Sequence, residues 1–274
     1  MLKIKNNKPL IVAEIGWNFL GNLKLAKKMI LSAKSNGADA VKFQIWNPIN
    51  LKPGPWDLDG RRELYKKSYL DKKKYKVLFQ FAKKNKLSCF ASVWSIPDMK
   101  VLKSVSSEIV KIPSPEAYNI KLIKECIKNF KKVIISCGCL NIKELKRLSK
   151  LKNKNKLIVL HCVSSYPLKS KECNFEKFFY LKRKFKYVGY SGHYNGIEDA
   201  IFAIANNACM IEKHFTTSNN LPGRDNKFSL LPNDLKKIKS FRDIFFNFNI
   251  NHGLSLQKSE KDIFKNYRGR WIKK

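Results

Sequence analysis

Gly37-Ala-Asp-Ala-Val-Lys-Phe-Gln-Ile45 is the stretch on which the fold turns. Ala40 to Ile45 is a short apolar, β-branched run of strand length. It follows Asn36-Gly37, a usual helix end. Upstream, Leu23, Ala26, Ile30 and Ala33 recur at the spacing of one helix face, and Leu10 to Ile15 is another strand-like run. Strand, helix, strand is the unit from which parallel sheets are built. Working outward, the same alternation continues to the end of the chain. A Pro- and Gly-containing loop from Asn47 to Leu70 leads to Asp71, which can cap a helix carrying Tyr75, Leu78 and Ala82. Strands are predicted over Leu87 to Ser92, Glu108 to Ile112, Lys132 to Ser136, Leu157 to Cys162, Tyr187 to Tyr190 and Cys209 to Glu212. Asn119 starts a helix with Leu122, Ile123, Cys126 and Ile127 inward, and Asn141-x-x-Glu144 has the form of a capping box. Further helices fall near Phe175 to Lys184, Ile197 to Ala205 and Pro232 to Phe246.

Eight such units close a (β/α)₈ barrel, an α/β fold of one domain over residues 1–250, with 251–274 as a tail or linker remnant. A doubly wound open sheet is the rival, and the chain lacks the Gly-x-Gly-x-x-Gly opening of its nucleotide-binding forms. The polar residues favour the barrel. Glu14, Lys42, Gln44, Ser92, Lys111, Ser136, His161, Ser164, Ser191, His193, Lys213 and His214 fall at or just after strand C-termini, which in a barrel share one mouth.

The formal charge of +35 on 274 residues would suggest nucleic acid if it were concentrated on one face. Only 8 of the 56 basic residues are Arg, and the Lys are scattered along helix faces, so nucleic acid is not expected as a partner and the field is read as one that attracts anionic metabolites. No run of eighteen apolar residues and no signal peptide are present, which predicts a cytoplasmic chain with no membrane partner. Seven unpaired-looking cysteines predict reduced thiols.

Two histidines at neighbouring strand ends, His193 and His214, can hold one divalent ion from one side and leave positions open for substrate oxygens. Lys42 and Lys111 each end an apolar strand, an expensive place for an ammonium unless an anion meets it. A phosphate or carboxylate ligand would do so. A structural ion pair with Glu14 or Glu116 is the plainer alternative. Ser92, Ser114 and Ser136 add hydroxyl donors.

Ala13-Glu-Ile-Gly-Trp-Asn18, Gly37 to Gln44, Lys111-Ile-Pro-Ser114, His161-Cys-Val-Ser-Ser-Tyr-Pro167, Gly189-Tyr-Ser-Gly-His193, Ile211-Glu-Lys-His-Phe-Thr216 and Pro222-Gly-Arg-Asp225 together closely resemble the sialic acid synthase (N-acetylneuraminate synthase) family, in its order, over nearly the whole chain. The resemblance implies a carbon–carbon bond-forming transferase on a barrel. It would condense phosphoenolpyruvate with an open-chain N-acetylated amino sugar of N-acetylmannosamine type to a nine-carbon 2-keto sugar acid, with a divalent metal (Mn²⁺ or Mg²⁺). By matching position it implies His193 and His214 as metal ligands. Lys42, Lys111, Ser114 and Ser136 would lie on phosphoenolpyruvate, with Ser92 kept as a substrate-binding candidate from its place at a strand end, and Glu116 would lie near the attacking water. Glu14 and Asp225 would orient metal-bound water or sugar hydroxyls, and Gln44, Ser165 and Tyr166 would line the sugar pocket.

Three motifs depart from the family: Asn18-Phe19 in place of Asn-His, Val93-Trp94 in place of Thr-Pro, and Ser191-Gly192-His193 in place of Ser-Asp-His. The last removes an expected orienter of His193, which would weaken metal binding by about tenfold or more. The given sequence ends at Lys274, where the family continues into an antifreeze-like domain that supplies an arginine to the partner subunit. A barrel domain alone is expected, with a homodimer left open. A barrel repurposed to a related sugar or keto acid without phosphoenolpyruvate, and a non-catalytic sugar- or anion-binding protein, remain as alternatives.

Overall fold

The structure, a computed structural model, describes residues 8–271. Eight parallel strands close a barrel in the order of the sequence. The strands are β1 (Leu10–Gly16), β2 (Ala40–Ile45), β3 (Ser88–Val93), β4 (Ile109–Ile112), β5 (Lys132–Ser136), β6 (Leu157–His161), β7 (Val188–Gly192) and β8 (Met210–His214). Helices α1 (Leu23–Ser35), α2 (Arg61–Ser68), α3 (Lys72–Lys84), α4 (Ile96–Lys103), α5 (Ile120–Asn129), α6 (Ile142–Ser149), α7 (Phe175–Lys182), α8 (Glu198–Ala205), α9 (Pro232–Phe248) and α10 (Lys261–Asn266) complete the order.

Strand period decides where the core sits. Side chains alternate between the barrel interior and the helix layer. Val12, Ala40, Phe90, Ile134, Ile158 and Met210 belong to one buried cluster, while Ile11, Val41, Ala91, Val133 and Ile211 belong to a larger one that reaches α1, α3, α5 and α8. Two residues further along five of these inward rows come Glu14, Lys42, Ser92, Ser136 and Glu212, all buried, while β6 continues with apolar Leu160. An apolar plug thus lies directly under a polar layer at the C-terminal mouth.

Helix starts follow the caps read from sequence. Asp71 accepts from the Lys74 N–H at 2.8 Å, Asn119 from the Leu122 N–H at 3.1 Å, and Asn141 and Glu144 exchange hydrogen bonds at 3.0 and 2.9 Å. Each cap is worth about 1 kcal/mol. At the opposite end of the barrel, buried Arg242 of α9 donates from Nη1 to Asp39 at 2.5 Å and from Nε to Asp243 at 3.0 Å, while Asp39 also accepts the Ile11 N–H at 2.8 Å. This guanidinium ties α9 to the starts of β1 and β2.

Three segments differ from expectation. The loop over 47–70 contains α2, whose Arg-Arg-Glu-Leu-Tyr-Lys-Lys-Ser has no apolar stripe to announce it. The span between β3 and β4 folds as α4, capped by Ser95 with Pro97 in its first turn. The expected tail holds α10. All seven cysteines are free, and no described helix is long and apolar enough to cross a membrane.

Candidate active site

Strand register brings the charged residues together. Glu14 lies beside Lys42 on one side and His214 on the other, Lys111 lies beside Ser92, and Glu212 lies beside Ser191. The Lys42 ammonium pairs with Glu14, donates to Ser92 Oγ at 2.8 Å and lies 3.7 Å from Glu212 Oε1. Lys111 Nζ donates to both carboxylate oxygens of Glu212 at 2.8 Å, and Ser191 Oγ donates to Glu212 at 3.2 Å. The result is a buried tetrad of two ammoniums and two carboxylates. Burial raises Glu14 to about 7, against the pull of Lys42. Burial acts the same way on Glu212, but Lys111 and Lys42 outweigh it and hold that carboxyl below the usual range. Burial also lowers Lys111.

His193 and His214 stand with ring centroids 5.7 Å apart. Burial pushes both down to about 3, so both are neutral imidazoles near pH 7. His193 Nδ1 bonds the Val163 carbonyl at 2.7 Å, which assigns the proton to Nδ1 and the lone pair to Nε2. His214 Nδ1 is buried without a hydrogen-bond partner among the described residues, 3.7 Å from Asp225 Oδ2. Neutral rings with unspent nitrogens are what a divalent metal requires of histidine ligands, and this pair fits one. Among the described residues no group of three or more His, Cys, Asp or Glu is arranged to hold a metal, so further positions would fall to substrate or water.

The loss of Asp from the Ser-Asp-His motif has a visible counterpart. A Cβ on Gly192 would lie 2.2 Å from Asp199 Oδ2 and 2.6 Å from Tyr190 Cε1. The carboxylate of Asp199, from the first turn of α8, fills that space and accepts from Lys213 Nζ at 2.9 Å through both oxygens. Lys213 also donates to the Tyr194 carbonyl at 2.7 Å, which fastens the segment after His193 to β8. His193 thus has other supports where the expected carboxylate is missing. Its ring is oriented by the Val163 carbonyl, and its chain is anchored through Lys213.

Other candidates divide. Gln44 donates to Glu14 at 2.8 Å and stays with the tetrad. Ser114 shares a 2.8 Å hydrogen bond with the Cys162 thiol and accepts the Gly138 N–H at 3.0 Å. The buried hydroxyl of Ser136 has no hydrogen-bond partner among the described residues, so it is an unspent donor at the mouth. The Tyr166 ring lies 4.1 Å from His193 and 5.9 Å from Phe228, with 43% of the residue exposed. Ser165 turns its hydroxyl to the Pro167 carbonyl at 3.3 Å and is not drawn into this cluster. Glu116 was an expected alternative partner for Lys111, and the partner is instead Glu212. Glu116 accepts from Asn119 at 3.4 Å, and partial burial raises its carboxyl. His161, fully buried, bonds the Cys173 carbonyl at 2.8 Å among Phe175 and Tyr190, a packing role.

Sequence reading missed Glu212 as a site residue, although period 2 in Met210-Ile-Glu-Lys-His214 puts it on the same face as His214. It also missed Trp17, whose Nε1–H donates to Asp225 at 2.8 Å. Burial holds that carboxyl above its ordinary range.

The sequence profile of the NeuB family matches residues 29–245. The chain is 37% identical over 248 residues to N,N'-diacetyllegionaminic acid synthase of Campylobacter jejuni, covering 84% of this chain and 74% of that protein. It is 32% identical over 253 residues to a pseudaminic acid synthase of the same species, covering 87% and 73%. Among solved structures, N-acetylneuraminic acid (sialic acid) synthetase from Leptospira borgpetersenii superposes with a TM-score of 0.86 at 33% identity, over 98% of this chain and 94% of that one.

Proposed function

This chain belongs to the NeuB family, and from that premise we propose that it condenses phosphoenolpyruvate with an open-chain N-acetylated amino sugar of N-acetylmannosamine type. The products are a nine-carbon 2-keto sugar acid and inorganic phosphate. The observation that carries the proposal is one layer at the barrel mouth, where two buried lysines stand beside a pair of neutral imidazoles.

Lys42 and Lys111, with the hydroxyls of Ser92, Ser114 and Ser136, hold the phosphate and carboxylate of phosphoenolpyruvate. Fixed cations neutralise such an anion without reorganising. His193 and His214 would hold a divalent ion, Mn²⁺ or Mg²⁺, and its chemistry when bound is Lewis-acid polarisation of the sugar aldehyde. The enol carbon C3 attacks that aldehyde, water adds at C2, and phosphate leaves as the ketone forms. Glu14, near neutrality in its titration, can hold or release a proton beside Lys42. Glu116 serves the attacking water, and Gln44, Ser165, Tyr166 and Asp225 bound the sugar. On this reading residues 1–250 carry the catalytic barrel, 251–274 form a tail, and the enzyme works in the cytoplasm.

The test is phosphate release from phosphoenolpyruvate by the purified protein with Mn²⁺, with and without N-acetylated mannosamine-type sugars, and again after chelation. Release that needs both sugar and metal is expected. No release with any sugar, from folded and metal-loaded protein, refutes the synthase reading and favours a repurposed or binding-only barrel.

A further inference from the structure

Beside Asp225 stands a group of aromatic rings that the chemistry above does not use. Trp17 follows β1, Trp46 follows β2, and Tyr65 projects from α2. Their centroids lie 5.6 Å (Trp17 to Trp46), 4.9 Å (Trp17 to Tyr65) and 4.3 Å (Trp46 to Tyr65) apart. All three are half-buried and belong to neither core cluster. The wall is seated by a close approach, since a Cβ on Gly21 would lie 2.4 Å from the Lys67 carbonyl oxygen of α2. It is also wired to the reaction centre. Trp17 donates to Asp225 Oδ2 at 2.8 Å, and that same oxygen lies 3.7 Å from His214 Nδ1.

We propose that Trp17, Trp46 and Tyr65 form an acceptor subsite for an apolar substituent, a second N-acyl group or a deoxygenated terminal carbon, at the end of the sugar remote from its aldehyde. The inference rests on the synthase reading and deepens it. Ring faces and edges pack methyl and C–H groups well, whereas a hydroxyl or phosphate set against them loses hydration without a replacement hydrogen bond. Cations near the wall are already balanced. Arg61 pairs with Asp59 at 2.7 Å and Arg62 with Asp57 at 2.9 Å, so both guanidiniums of α2 already hold carboxylates. A phosphorylated sugar terminus gains little net attraction there.

The discriminating experiment compares kcat/KM, at saturating phosphoenolpyruvate and Mn²⁺, for N-acetylmannosamine, N-acetylmannosamine 6-phosphate and a 2,4-diacetamido-6-deoxyhexose. Wild type and Trp46→Ala are run in parallel, and binding of the same three sugars is followed by tryptophan emission. The diacetamido sugar should be preferred, and Trp46→Ala should cut that preference about tenfold, mainly through KM, within the 10–200-fold that one small apolar group can command. An unchanged preference in the variant, or wild-type preference for the 6-phosphate, overturns the subsite while leaving the synthase reading in place. If no sugar is turned over, the synthase reading fails and emission decides the subsite: diacetamido binding weakened about tenfold by Trp46→Ala supports it, and equal or absent binding overturns it. Should Trp46→Ala not fold, Trp46→Phe and Tyr65→Leu keep most of the packed volume. A loss of preference of about threefold is then expected, and none refutes the proposal.

Discussion

Replacing Gly192 by alanine will destabilise the barrel by about 3 kcal/mol or more, because the added methyl competes with a buried carboxylate for one space. The new carbon would lie 2.2 Å from Asp199 Oδ2, 2.6 Å from Tyr190 Cε1 and 3.0 Å from Lys213 Cδ. Gly192 does not occupy left-handed backbone, so conformational strain does not enter. Overpacking alone costs about 1–3 kcal/mol, and separating a buried ion pair costs about 3–5 kcal/mol. The two do not add, since the retreat of Asp199 that relieves the overlap is what breaks its pair with Lys213. For a chain of this size about 3 kcal/mol is a fall of roughly 6–12 °C in Tm. Urea unfolding of Gly192→Ala, Gly192→Asp, Asp199→Ala and the double variant Gly192→Asp with Asp199→Ala gives both the cost and the coupling. The double variant places a carboxylate within reach of Lys213 from the strand instead of the helix, and should recover at least half of the loss in Gly192→Asp. If Gly192→Ala unfolds within about 0.5 kcal/mol of wild type, the packing argument is wrong. If the double variant shows no recovery, Lys213 does not need a carboxylate at this place.

His214→Ala should weaken Mn²⁺ binding at least tenfold and abolish sugar-dependent phosphate release while the far-ultraviolet circular dichroism stays that of a barrel; undiminished release would sink the metal assignment. Glu14→Gln tests the group raised to about 7. Above that pH the Glu14 carboxylate competes with an incoming anion for Lys42, and below it the neutral acid lets Lys42 go, with Ser92 and Glu212 as its other polar neighbours. Inorganic phosphate should therefore bind wild type more weakly as pH rises through about 7, and the variant should lose that component; an identical pH profile refutes it. Arg242→Met should cost about 2–3 kcal/mol in urea unfolding, below the figure for a fully buried pair because Asp39 keeps 34% of its side chain exposed. A loss under about 0.5 kcal/mol would show that the clamp is ornamental to stability.

The fold was legible because two periodicities alternate along the chain, and because polar residues at strand ends make sense together only around one mouth. Segments without a period escaped. Helix α2 has Leu64 and Tyr65 as its apolar residues and packs Tyr65 on tryptophans instead of on the core, so nothing in its spacing marks it. The site was legible as a set of chemical types at strand ends, but the choice of partners was not. Lys111 takes Glu212 across the barrel, 101 residues away in sequence, instead of the nearby Glu116. Lys213, next to two residues of the site, faces the helix layer because period 2 sends it there, and a lysine buried on that side needs a carboxylate from the covering helix. Asp199 at the start of α8 meets the need. That pairing could be anticipated only once the strand boundaries were fixed to the residue.

The tetrad also sets terms for anion binding. Two ammoniums and two carboxylates sum to no net charge, and each lysine has a carboxylate partner that would have to yield to an arriving anion. Glu212 is tightly held by both lysines and stays ionised. Glu14, raised toward neutrality by burial, is the carboxylate that can take up a proton instead of keeping its ammonium. Entry of a phosphate or carboxylate group beside Lys42 is then an exchange of one anion for another, with the displaced charge absorbed by protonation of Glu14. On the proposed function, the affinity for anions would follow from how easily that one carboxylate gives way, more than from the formal charge of +35 spread over the outer surface, which is screened within about 8–10 Å in ordinary salt. Raising ionic strength should therefore slow the arrival of phosphoenolpyruvate and leave its release from the buried layer almost unchanged, which stopped-flow binding at two salt concentrations can separate; equal effects on both rates would place the anion at the surface instead.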